Sequence, residues 1–123
     1  MSYARFSSDD YQCDVYVYES VDGWVTHTAL RRYVLDGLLP PPVPFDEGHL
    51  QAFIERQVKV SAIVEHAQQT LIELPNAGES FRDPTPLACA QRLERLKAIG
   101  FRVPQYAIDA LRDEAREAQG GGR

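Results

Sequence analysis

Two cysteines and three histidines are the side chains of this 123-residue chain best suited to nucleophilic or metal chemistry. Their spacing serves neither. Cys13 and Cys89 lie far apart, without the short repeats that build a zinc knuckle or a disulfide framework. His27, His49 and His66 offer no pair four residues apart on one helix face, so no metal ligand set is assigned. Nucleophilic catalysis needs a thiol or hydroxyl beside a base. Cys89 falls on an apolar stripe with Leu93 and Leu96 and reads as a buried small hydrophobe. Cys13, at a strand edge, is the more accessible thiol, and nothing near it would lower its pKa. Glu73, Glu79 and Asp83 cluster in sequence and have the chemistry of acid–base carboxylates, but solvated loop charge is the simpler reading. The chain has no glycine-rich phosphate loop and no GxSxG. It is expected to be non-enzymatic, with no catalytic residue, no cofactor and no metal.

Binding offers two candidate surfaces. Arg92, Arg95, Lys97 and Arg102 form a basic run on a predicted helix and the turn after it, a candidate nucleic-acid contact. Helix, glycine turn and second helix have the outline of a helix-turn-helix. The second helix carries Asp109, Asp113, Glu114 and Glu117 against Arg112 and Arg116, a poor face for phosphates, so plain helix-hairpin packing is preferred. Tyr16, Tyr18 and His27 form a candidate aromatic surface on one strand face, of the kind that stacks bases. No basic groove accompanies them, and an aromatic core face under a long helix is preferred.

The elements that must hold these residues follow from local signals. Thr85 can cap a helix whose first position is Pro86, where a missing N–H costs nothing. Cys89, Leu93 and Leu96 give that helix its stripe, Gly100 ends it, and Phe101 returns over Leu96. Pro104 starts a second helix with an apolar stripe of Ala107, Ile108, Leu111 and Ala115. Near the N-terminus Asp14–Val21 is rich in β-formers, Asp22-Gly23 suits a two-residue turn, and Trp24–Ala29 returns. That turn would set Val21 opposite Trp24, Glu19 opposite Thr26, Tyr18 opposite His27 and Tyr16 opposite Ala29. Val15, Val17, Val21, Trp24, Thr26 and Leu30 then share one face and Tyr16, Tyr18, Val25, His27 and Ala29 the other, with helices expected over both. Arg31–Leu35 extends the second strand or adds a short one, and Pro40–Pro44 is a polyproline spacer. Leu50, Phe53, Val60, Val64 and Ala67 predict one long helix over 46–69, and a third strand is expected at 79–82.

The fold expected is α+β: a small antiparallel sheet built on the hairpin, a long middle helix and a C-terminal helical hairpin. One domain is expected, with a loose N-terminus over 1–12, hairpin and spacer over 13–45, long helix and third strand over 46–83, helical hairpin over 84–118 and a flexible tail over 119–123. A formal net charge of -5 speaks against nucleic acid and anionic membranes as default partners. The balance is uneven: residues 1–83 hold 6 basic and 13 acidic side chains, and residues 84–123 hold 7 and 5. No apolar run approaches the ~20 residues of a membrane span, and the first ten residues lack the core of a signal peptide. A cytoplasmic protein is expected.

Three stretches carry a family likeness. They are Met1–Phe6 with Asp14–Tyr18, then Leu74-Pro75-Asn76-Ala77-Gly78-Glu79-Ser80-Phe81, then Thr85-Pro86 continuing to Gly100–Leu111. Together they resemble uncharacterised small accessory proteins of phages of mycobacteria and related actinobacteria. The likeness covers both ends of the chain and leaves about residues 30–70 outside it. Where some members carry a cysteine cluster after the hairpin, this chain has Thr26-His27-Thr28-Ala29-Leu30, so no metal role carries over. The resemblance implies a phage or prophage product working in the host cytoplasm. The expected function is protein–protein interaction with a host or phage partner through the acidic N-terminal two-thirds, or with a second copy as a homodimer. A nucleic-acid-binding regulator is the alternative.

Overall fold

The computed structural model describes residues 2–35 and 37–121. In chain order the elements are β1 (Ser2–Ala4), a single turn α1 (Ser8–Tyr11), β2 (Val15–Ser20), β3 (Gly23–Thr28) and β4 (Arg31–Tyr33). A short 3-10 turn (Glu47–His49) leads into α2 (Leu50–His66), followed by β5 (Gln69–Leu71), β6 (Ser80–Asp83), α3 (Pro86–Ile99) and α4 (Gln105–Gly121). The class is α+β, as the sequence predicts. The chain forms two compact units, one of Met1–Arg32 with Leu71–Arg123 and one of Tyr33–Thr70.

In the first unit, four antiparallel strands run in the order β1-β2-β3-β6. The helical hairpin forms as its caps require. Thr85, in an extended conformation, accepts a hydrogen bond at its Oγ1 from the Ala88 N–H at 3.1 Å. Gly100 takes a φ of 122°, and the Phe101 N–H donates to the Leu96 carbonyl at 3.1 Å, closing the helix. The stripes of α3 and α4 (Cys89, Leu93, Leu96; Ala107, Ile108, Leu111) are buried with Val15 and Val17 in one core. Pro104 precedes α4, which runs on through Gly121, so the helix takes in most of the expected tail; Gly122 and Arg123 lie outside the described residues.

The hairpin forms with a different register. Its closing pair is Ser20 with Gly23, so Val21-Asp22 is the loop, and Tyr16 faces His27 while Glu19 faces Trp24. The shift is two residues, which keeps the paired residues of 15–20 and 23–28 on their expected faces, while Val21 becomes an exposed loop residue and Ala29 packs on the core. Gly23 is required twice, by its own backbone angle at the end of the turn and by its neighbour. Its φ is 141°, and a Cβ there would lie 2.5 Å from the Asp83 carbonyl oxygen. Residues 1–12 are also corrected. Ser2–Ala4 is the edge strand of the sheet, with Tyr3 and Ala4 buried. Tyr3 donates to the Glu114 carboxylate and accepts from the Trp24 indole N–H at 3.3 Å, which ties β1 to α4 and β3. Burial, with the Glu114 hydrogen bond, pushes the Tyr3 phenol up to about 12.

Within this unit α3 and α4 pack on the sheet face of Val15, Val17 and Thr26. Asp14 is the electrostatic centre. Fully buried, it accepts from the Arg102 backbone N–H at 2.7 Å, from the Arg102 guanidinium at 3.1 Å and from Arg32 at 2.7 Å. A buried carboxylate is tolerable only when paired and hydrogen-bonded in this way.

The Tyr33–Thr70 unit is built on α2. The helix is shorter than the expected 46–69, because Ala67 is already extended and Gln69 opens β5. Its inner face carries Arg56, Val60 and Val64. Arg56 donates to the carbonyls of Pro40 and Pro41 at 2.9 and 2.8 Å, binding the proline spacer to the helix. Phe53 packs on Phe45, with ring centroids 4.7 Å apart. Leu50, expected on the inner stripe, is exposed.

Candidate functional site

The basic candidates are engaged to different degrees, and two of them, Arg92 and Arg95, line one groove. Arg92 binds Asp83 through two parallel hydrogen bonds, Nε to Oδ2 at 2.8 Å and Nη2 to Oδ1 at 3.0 Å. Those bonds hold its guanidinium above the ordinary arginine value, and its Cζ lies 4.4 Å from the centroid of the Phe81 ring. Arg102 is engaged by buried Asp14, and Lys97 donates to Gln105 at 2.7 Å. Arg95 has no hydrogen-bond or ion-pair partner among the described residues. Two of the four charges are therefore balanced by carboxylates, one of them 88 residues distant in sequence, before a phosphate arrives.

The aromatic candidates do come together. Tyr16 meets Tyr18 edge-on at 5.2 Å, Tyr18 lies 5.6 Å from His27, and Phe6 adds a ring 6.0 Å from Tyr16. Both imidazole nitrogens of His27 are engaged, Nε2 with the Tyr18 hydroxyl at 3.2 Å and Nδ1 with the Ser80 hydroxyl at 2.6 Å. The three side chains are half-buried by one another on the sheet face away from α3 and α4. Ring faces turned on neighbouring rings are less available to stack on a base.

The candidates for covalent chemistry are dispersed. Cys13 and Cys89 are both buried, and that burial pushes each thiol up to about 11. Cys13 is 4% exposed against 0% for Cys89, so neither thiol is open to solvent; the Cys13 Sγ donates to the Val15 carbonyl at 3.2 Å. Asp83 is held by Arg92, while Glu73 and Glu79 are exposed. Among the described residues no three His, Cys, Asp or Glu side chains group as a metal site, and no helix is long and apolar enough to cross a membrane.

A further surface lies on α2. Leu50, Ile54 and Val58, at i, i+4 and i+8, are 50, 49 and 65% exposed, and Phe45 beside the helix start is 76% exposed. Between them Gln51, Gln57, Ser61 and Ala62 complete a face that carries no charge from residue 50 to residue 62, with Glu55 and Lys59 displaced to its flank. A depression of about 260 Å³ lined by Phe45, Asp46, Glu47 and Leu50 adjoins it. An outward helix face of a globular protein is ordinarily polar and charged. The sequence holds the signal, since two apolar stripes overlap in α2; the stripe through Val60 and Val64 masks the one through Ile54.

Comparison with protein-family models, curated proteins and solved structures finds no match.

Proposed function

We propose that this chain is a non-enzymatic protein-interaction module and that the exposed face of α2 is its binding surface. One observation carries the reading: Leu50, Ile54 and Val58 stand in solvent on a face without charge from residue 50 to residue 62, bounded by Glu65. Depletion of charge around apolar anchors is the compositional mark of an interface core. Anchors at i, i+4 and i+8 are the pattern by which a helix enters an apolar groove on another protein. The surface belongs to the acidic N-terminal two-thirds of the chain. The phage-accessory resemblance supports a host or phage protein as the partner, met in the host cytoplasm.

The test is a tagged pull-down from an actinobacterial host lysate, with and without nuclease, by the natural chain and by Ile54→Lys/Val58→Glu. The expected result is one stoichiometric protein that survives nuclease and is missing from the double variant. If the partner is a second copy, sedimentation of the natural chain gives a doubled mass that the double variant halves. Recovery that vanishes with nuclease, or that the double variant retains, overturns the reading. So does saturable turnover of a substrate by the pure protein.

A further inference from the structure

The unit of Met1–Arg32 with Leu71–Arg123 contains a groove of about 540 Å³ lined by Asn76, Phe81, Arg92, Arg95, Leu96 and Ile99. Its size falls within the range of small-ligand sites, and its lining has their composition, apolar walls with a few converging polar groups. We propose that this groove binds a carboxylate carried on an apolar body, with Arg95 as the anion anchor. The site is independent of the α2 surface.

The argument is one of charge and of committed hydrogen bonds. Arg92 and Asp83 form a neutral pair: two nitrogens of the guanidinium are taken by the carboxylate, and only Nη1 stays uncommitted. Arg95 adds one full positive charge with no partner among the described residues. The net charge offered by these three groups is therefore one, which suits a monoanion. A phosphate dianion would bring its second charge toward Asp83, which Arg92 already balances. Asn76 adds a polar residue to the wall; its backbone has a φ of 69°, and its main-chain carbonyl accepts from the Thr28 hydroxyl. Ile99, 40% exposed, faces water on the same helix as Arg95 one turn on, so an apolar group beside the carboxylate finds a matching wall. A planar guanidinium free of other ties is the side chain best shaped to take a carboxylate through two hydrogen bonds.

The test is an amide-resonance titration of the full chain with 3-phenylpropionate, with its neutral amide, and with a short peptide ending in phenylalanine as the free acid or the C-terminal amide. The expected result is saturable shifts at Phe81, Leu96 and Ile99 with the acids, and roughly tenfold weaker binding of the amides, the size of one charge-assisted hydrogen bond. Arg95→Ala should weaken the acids by about the same factor. Lys97→Ala, which removes the same charge from a neighbouring residue tied to Gln105, should leave them unchanged. Tighter binding of the free-acid peptide than of 3-phenylpropionate would identify a polypeptide terminus as the source; the reverse order would identify a free organic acid. Both orders support the site. Equal binding of acid and amide, equal effects of the two substitutions, or no saturable shift in any arm overturns it. Ile54→Lys/Val58→Glu should bind the acids normally, which separates this site from the α2 surface.

Discussion

In the sheet-and-helix unit, Val15, Leu93, Ile108 and Leu111 are no more than 1% exposed, and the apolar stripes of α3 and α4 lie inward. In the Tyr33–Thr70 unit the apolar residues divide: Leu35, Val60 and Val64 are buried, while Phe45, Leu50, Ile54 and Val58 face water. The polar groups divide in parallel. The first unit buries whole carboxylates, Asp14 and Asp83, each matched by arginine; the second uses one arginine, Arg56, to hold the carbonyls of a proline run. Covering a large apolar side chain is worth about 1.5–3 kcal/mol. A segment that forgoes this several times along one helix face is poorly explained by folding alone. The contrast teaches that apolar residues on a regular helix are not all spent on a core: one unit covers its stripes, and the other leaves one in water.

The comparison breaks first, if it breaks, at Asp14. Asp14→Ala leaves Arg32 and Arg102 facing a vacated buried site and should cost about 3–5 kcal/mol in urea unfolding, the size of a broken buried ion pair. Close behind, Leu93→Ala should cost about 2–5 kcal/mol, because a fully buried leucine leaves a cavity. A loss under about 1 kcal/mol at either position would show that the first unit is not the stable one.

A pH series sharpens the same point. Cys13 and Cys89 have folded values near 11, above an ordinary 9, so the unfolded chain loses its thiol protons first as pH rises. Their contribution is complete below pH 9 and disappears between 9 and 11. Thermal melts should fall through that window, and less so in Cys13→Ser, while both thiols of the folded chain resist alkylation at pH 8. A folded chain alkylated as fast as a denatured one refutes the burial. Next, Thr85→Ala should cost about 1 kcal/mol, the usual value of a lost cap, read from the unfolding midpoint. Smallest of all, Ile54→Lys should move stability by less than about 0.5 kcal/mol, as exposed substitutions do. A large loss there would mean that the α2 face supports the fold.

What was legible in the sequence was local. The Thr85-Pro86 cap, the Gly100 stop and the alternation that separates Val15 and Val17 from Tyr16 and Tyr18 each depend on residues a few positions apart, and all are present. The hairpin register was not legible, because Asp22-Gly23 has two explanations. Gly23 answers to the backbone of Asp83, 60 positions away, and the exposed loop is Val21-Asp22. The strand at Ser2–Ala4 has no pattern of its own; its tyrosine is placed by Glu114 and Trp24. The basic run reads as four equal charges because the carboxylates that engage two of them, Asp14 and Asp83, belong to other elements. Arg95 alone keeps the freedom that the sequence lent to all four.

The chain leaves the sheet unit along β4 and comes back along β5, and these two strands pair with each other. Hydrogen bonds from Val34 to Gln68 and from Ile72 to Leu30, each 2.8 Å, flank the pairing on either side. Departure and return are thus neighbours, separated by about the 4.8 Å of adjacent strands. Everything between them is a cassette on a closed stem. Such a stem fixes where the 33–70 segment begins and ends, whatever the sequence between.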